Sequence, residues 1–190
     1  MIKIAITGKI GSGKSTALNF FKKLGFFTLS SDQIIKEIYN NHSTRKELLK
    51  NIGISDKDYK KDILKKIHDP NFNYILKRNL YPLMNRLRSK KNPSFISKKN
   101  IFFEVPLLFE EKLEKNYNII IFIKSDYNVR RKRVLGKGMT DQYFRTMNNY
   151  QSSDGPKQNY SDITILNNGS VMDFYIKINH YKKKYERNYT

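Results

Sequence analysis

The sequence predicts an α/β fold of three layers built on a parallel five-stranded sheet. Three observations predict it. Short, nearly continuous apolar runs rich in β-branched residues recur along the chain, as strands buried on both faces require. Stretches with apolar residues at helical spacing alternate with those runs. The first run, residues 2–6, leads through a glycine-rich turn directly into a helical stretch.

In order, residues 2–6 are read as a central strand, and Ala17, Phe20, Phe21 and Leu24 as one face of the helix after the turn. Gly25 is read as the stop of that helix. Residues 26–29 read as a second strand, and Ile34, Ile35, Ile38 and Tyr39 as the buried face of the next helix. Residues 43–97 read as mostly helical, with Thr44 and Glu47 as a capping box. Asp69-Pro70-Asn71 is a break, Leu80, Leu83, Met84 and Leu87 mark a further amphipathic helix, and residues 90–99 read as a polar loop. Residues 101–105 and 118–123 supply strands three and four. Residues 126–135 form a basic helix, and Thr140 caps a helix carrying Phe144, Met147 and Tyr150. Residues 152–158 read as a polar loop, Ile163–Leu166 as a fifth strand, and Val171, Phe174, Ile178, Tyr181 and Tyr185 as the face of a last helix.

Composition narrows the function. The formal net charge is +20, yet the basic residues are spread along the whole chain, so no specific nucleic-acid partner is expected. The same field favours an anionic small substrate. There is no cysteine, which excludes a disulfide framework and a thiolate zinc site. His42, His68 and His180 lack metal-ligand spacing. No apolar run approaches the roughly 20 residues that span a bilayer, so no membrane partner and a cytoplasmic location are expected. A monomer or weak homo-oligomer is expected.

Chemistry concentrates at residues 8–16. Gly8-Lys9-Ile10-Gly11-Ser12-Gly13-Lys14-Ser15 matches G-x-x-x-x-G-K-[ST], preceded by a strand and followed by a helix. Glycines let backbone N–H groups fold around phosphate oxygens, and the helix points its positive end at the same anion. Lys14 then reaches the β- and γ-phosphates and the Ser15 hydroxyl ligates Mg²⁺, which makes ATP and Mg²⁺ the expected cofactors. Gly8, Gly11, Ser12, Gly13, Lys14, Ser15 and Thr16 are the candidate nucleotide-binding residues. No Asn-Lys-x-Asp guanine signature is present, and the chain is short for an ATPase motor, so a small-metabolite kinase is favoured.

Several stretches, in order, resemble the bacterial dephospho-CoA kinases. Gly8-Lys9-Ile10-Gly11-Ser12-Gly13-Lys14-Ser15-Thr16 is similar to that family's G-G-I-G-S-G-K-S-T loop, with Lys9 in place of the second glycine. Leu29-Ser30-Ser31-Asp32-Gln33-Ile34 sits where the family has D-A-D-x-I. Glu104-Val105-Pro106-Leu107-Leu108-Phe109-Glu110 resembles D-x-P-L-L-F-E, the specific segment. Residues 133–140 resemble the R-x-x-x-R-x-M-[ST] lid element, with Gln151 following, and residues 161–170 the A-D-x-x-I-x-N-x-G ending. The departures are Ser30 for the first acid, Glu104 for an Asp, Lys137 for the second lid arginine, and Tyr81 where the family often has His.

The resemblance implies a P-loop NTPase fold with a core of 1–42, 98–125 and 159–190, a helical substrate-binding insertion at 43–97 and a helical lid at 126–158. It implies transfer of the ATP γ-phosphate to the ribose 3′-hydroxyl of dephospho-CoA, completing coenzyme A biosynthesis. Asp32 is expected to accept or orient the hydroxyl proton, and to bind Mg²⁺ through water; the other reading is a helix N-cap. Ser30 and Ser31 are read as caps. Glu104 is expected either to hold Mg²⁺ water or a substrate group, or to pair with a lysine. Glu110 either orients a loop or caps a helix. Pro106, Leu107, Leu108 and Phe109 are read as an apolar wall of the acceptor pocket, and Tyr81 as a further substrate contact. Arg133 and Lys137, four apart and so on one helix face, are expected to neutralise the transferring phosphoryl group; Arg130 and Arg131 are read as solvated. Two alternatives remain: another small P-loop kinase acting on a nucleoside, nucleotide or metabolite, and a basic P-loop module that binds RNA.

Overall fold

The computed structural model describes residues 2–66, 69–90 and 100–187. Contacts divide the chain into two units, Met1–Ser30 with Ser97–Thr190, and Ser31–Ile96.

The first unit holds β1 (Lys3–Thr7), α1 (Lys14–Lys23), β2 (Phe27–Ser30), β3 (Ile101–Glu104), β4 (Ile119–Lys124), α6 (Tyr127–Leu135), α7 (Asp141–Tyr150), α8 (Asp154–Asn159), β5 (Ile163–Leu166) and α9 (Val171–Arg187). The five strands form one parallel sheet in the order β2-β3-β1-β4-β5. Alternate residues of each strand feed two apolar clusters. Ile4, Ile6, Phe102, Ile121 and Ile123 pack with Phe21 of α1 and Phe174 and Ile178 of α9. Ala5, Leu29, Ile101, Phe103 and Ile120 pack with Val105 and Leu108 from the segment after β3. Burial on both faces explains why these strands read as unbroken apolar runs. Phe21 and Phe102 stack with centroids 4.0 Å apart.

The second unit holds α2 (Ser31–Asn40), α3 (His42–Asn51), α4 (Tyr59–Lys66) and α5 (Pro70–Lys90). Ile34, Ile38, Leu48, Leu49, Ile63, Leu80, Leu83 and Met84 form its core, with Tyr39 and Tyr81 packed against it. The expected core of 1–42 therefore loses α2, because Ile34 and Ile38 bury their face among helices of residues 43–90. Pro70 opens α5, and the Asp69 carboxylate accepts from Asn71 N–H at 2.9 Å, so the expected break is a helix start.

Two local readings are corrected. Asn41, not Thr44, caps α3: its Oδ1 accepts from Thr44 N–H at 3.0 Å, while Thr44 Oγ1 donates to Ile38 C=O and Glu47 pairs with Arg86. Within the expected loop of 152–158, Asp154–Asn159 is the helix α8. Pro156 falls in its first turn, where a missing N–H costs nothing, and Lys157 anchors it. The expected loop of 91–99, and His68, lie outside the described residues. No helix among the described residues is long and apolar enough to cross a membrane.

Candidate active site

The carboxyl ends of the strands gather the candidate residues of the sheet unit, as expected for ligand sites in open parallel sheets. The chain leaves β1 at Thr7 and turns through Gly8, Gly11 and Gly13, with φ of +151°, +76° and +101°. A Cβ on Gly11 would lie 2.5 Å from the Arg130 carbonyl oxygen, so this turn has room only for glycine. Lys9, where the resembling loop has glycine, has a negative φ and accommodates a side chain. Its carbonyl closes the turn by accepting from Ser12 N–H at 3.1 Å and from Lys14 Nζ at 3.1 Å. Gly13 precedes α1, whose N-terminus therefore opens on the loop.

The outer side of the loop is held by four side chains. Asn167 Nδ2 and Ser125 Oγ donate to Ser12 C=O at 2.8 and 3.3 Å. Gln151 Oε1 accepts from Ile10 N–H at 2.7 Å. Arg130 Nη1 donates to Ile10 C=O at 3.3 Å. Arg130 is only 4% exposed and also donates to Ser125 C=O and Asn148 Oδ1. Burial lowers its pKa, with Asp154, Tyr127 and Asp126 opposing. The reading of Arg130 as solvated is therefore wrong. The signal that could have found it is Val134, one turn on and buried on the same helix face. Ser125 and Asn167 were likewise absent from the candidate site residues: Asn167 stands at the asparagine of the A-D-x-x-I-x-N-x-G ending, whereas Ser125 carries no distinctive pattern.

Glu104, at the end of β3, is 3% exposed. It accepts from Ser15 Oγ at 2.7 Å and from Ser30 Oγ at 3.0 Å. The Ser30 hydroxyl thus spans to a carboxylate as well as standing before α2. Asp32 is exposed in the first turn of α2, which begins at Ser31, so it is past the N-cap position. Asp32 and Tyr81 belong to the helical unit; Asp32 follows Ser30 by two residues along the chain.

The remaining candidates divide. Leu108 is fully buried in the core, so it is not a pocket wall, whereas Pro106, Leu107 and Phe109 are half-buried. Glu110 tethers the segment at 152–157 rather than capping a helix: its Oε1 accepts from Lys157 Nζ and Ser152 N–H, both at 2.7 Å. Arg133 donates to Asn167 C=O at 3.0 Å, to Asn167 Oδ1 and to Ser125 Oγ, and burial lowers its pKa. Lys137 is exposed in a turn beyond the end of α6, so the two do not share a helix face. Arg131 pairs with Asp141 at 2.6 Å.

The donor set suits a triphosphate with a hard cation. Ser15 Oγ and the Glu104 carboxylate are oxygen ligands of the kind Mg²⁺ takes beside phosphate oxygens and water. Thr7 Oγ1 and Ser12 Oγ are buried without a hydrogen-bond partner, leaving polar capacity at the loop. Among the described residues no group of three His, Asp or Glu could hold a metal by itself.

A family model described as dephospho-CoA kinase matches residues 2–173. A dephospho-CoA kinase of Aquifex aeolicus is 32% identical over 193 residues, covering 98% of this chain and 97% of that protein. One of Fusobacterium nucleatum is 30% identical over 188 residues, covering 92% and 94%. Among solved structures, a dephospho-CoA kinase from Campylobacter jejuni has a TM-score of 0.67 at 21% identity, over 99% of this chain and 98% of that one. A shikimate kinase from Acinetobacter baumannii has a TM-score of 0.57 at 15% identity, over 97% and 94%. The two solved structures show that the chain shares their α/β fold.

Proposed function

The chain belongs to the dephospho-CoA kinase family, and on that premise we propose that it transfers the γ-phosphate of ATP to the ribose 3′-hydroxyl of dephospho-CoA, giving coenzyme A and ADP. The observation that carries this reading is the joining of the loop after β1 to the carboxylate ending β3, through the 2.7 Å bond from Ser15 to Glu104. Phosphate-holding and cation-holding groups thereby share one site.

Each residue of the loop has a part. Backbone N–H groups of residues 8–16 and the start of α1 hold the phosphates. Lys14 exchanges its bond to the Lys9 carbonyl for phosphate oxygens. Ser15 and Glu104 would hold the cation. A bound Mg²⁺ would neutralise charge on the phosphates. Asp32 accepts the proton of the attacking hydroxyl or fixes its direction. Pro106 and Leu107 offer apolar surface to the acceptor. Arg133 can serve the transferring phosphoryl group only by exchanging its bonds to Asn167; Lys137, already exposed, is a second cation for the same charge. The helical unit, Ser31–Ile96, serves as the acceptor-binding subdomain and residues 126–158 as the lid.

A coupled ADP-release assay over dephospho-CoA, adenosine, AMP, shikimate and buffer tests the reading. Turnover confined to dephospho-CoA is expected; turnover with AMP, a nucleoside or shikimate in its place would overturn it.

A further inference from the structure

The Gln151 side chain, 5% exposed, stands between two backbone segments of the sheet unit. Its Oε1 accepts from Ile10 N–H at 2.7 Å and its Nε2 donates to Pro106 C=O at 3.3 Å. A primary amide is the side-chain group that offers an acceptor and a donor from one plane in this way. The neighbouring backbone is anchored to the same segment that carries Pro106. Glu110 Oε1 accepts from Ser152 N–H and from Lys157 Nζ, both at 2.7 Å, and Lys157 is fully buried. Residues 106–110 therefore hold residues 151–157 through Pro106 and Glu110, and Gln151 passes that hold to the phosphate loop. The Ile10 peptide is fixed from its other side by Arg130.

We infer that Gln151 is a positioning residue, which sets the separation between the phosphate loop and the segment at Pro106 and Leu107. The inference rests on the proposed function, in which those two residues face the acceptor. Phosphoryl transfer to a bound hydroxyl needs donor and acceptor held in line, and a misplacement of an ångström costs about 100-fold. Hydrolysis of ATP by water needs the loop and its cation but not the segment that holds the acceptor. Cutting the Gln151 link must then harm transfer more than acceptor-free hydrolysis.

Two substitutions separate this from a merely structural role. Gln151→Met keeps the length and removes both bonds. Gln151→Glu keeps an acceptor for Ile10 N–H and loses the donor to Pro106. Transfer kcat, acceptor-free ATP hydrolysis and the affinity for a fluorescent ADP analogue are measured on each variant and on the wild type, with thermal melting as the check on folding. In Gln151→Glu, which keeps the bond to Ile10 N–H, the expected result is a fall in transfer kcat of about 10- to 100-fold, with hydrolysis and nucleotide affinity changed by no more than about 3-fold; in Gln151→Met, which also releases the loop, hydrolysis falls as well but by less than transfer. Equal falls in transfer and hydrolysis, or no fall in transfer, would overturn the inference. If Gln151→Met does not fold, Gln151→Glu decides by the same ratio. The ratio is read with whichever acceptor the wild type uses. A wild type idle on dephospho-CoA thus counts against the proposed substrate, and an unchanged ratio against Gln151.

Discussion

Asp32 is the carboxylate proposed to take the proton of the attacking hydroxyl. The carboxylate is exposed in the first turn of α2, and the helix has already begun at Ser31, so capping does not claim it. An exposed carboxylate two residues past the Ser30–Glu104 bond is free to meet a hydroxyl. Asn keeps its shape and cannot take a proton. Asp32→Asn is therefore expected to lower kcat by about 100- to 10,000-fold, with the melting temperature little changed. Near-normal turnover by the folded variant would place the base elsewhere. The turn through Gly8, Gly11 and Gly13 was legible in the sequence because positive φ at fixed spacing needs glycine. Arg130 was not, because an arginine in a run of four cations reads as solvated until a neighbour such as Val134 shows which way its helix faces. Leu108 failed for the opposite reason: in Pro106-Leu107-Leu108-Phe109 sequence alone does not say which apolar residue turns to the core.

Among the elements, strands were the most legible and α8 the least. Parallel strands buried on both faces leave an unbroken apolar signature. A six-residue helix holding Gly155 and Pro156 leaves none, since isolated helices so short are unstable in water. Tertiary anchoring holds α8, through the Lys157–Glu110 pair. Burial raises the Glu110 pKa, but the Lys157 hydrogen bond and charge and the Ser152 N–H lower it further, so the group ends below its ordinary 4.5. A depressed carboxyl contributes stability that is complete above 4.5 and is lost as pH falls through the folded value. Glu110→Gln leaves Lys157 buried without its counter-charge, which is expected to cost about 3 kcal/mol at pH 7. Denaturant unfolding from pH 7 to 3 should show the wild type losing that advantage only below about 4.5, while the variant lacks this part of the acid loss. A constant difference between the two across that range would mean that the ion pair does not anchor the helix.

On the scale of the whole molecule, two units each enclose their own apolar core, and one sequence-wide property acts on both. Lys and Arg total 37 against 17 Asp and Glu, giving the net charge of +20. Both proposed substrates are polyanions, and a field of this sign raises their local concentration before any specific contact forms. Contacts within the loop are short and partly buried, and salt screens them little; the long-range field is screened within about 10 Å at 0.1 M salt. Raising KCl from 0.05 to 0.5 M is therefore expected to increase KM for ATP by about 3- to 10-fold, with kcat changed by less than about 2-fold. Steady-state rates at fixed free Mg²⁺ read the two constants separately. A KM indifferent to salt would show that the charge does not guide the nucleotide, leaving capture to the loop alone. A matching fall in kcat would mean that screened charges act in the transfer step itself, as Lys137, exposed beyond α6, would if it met the phosphoryl group.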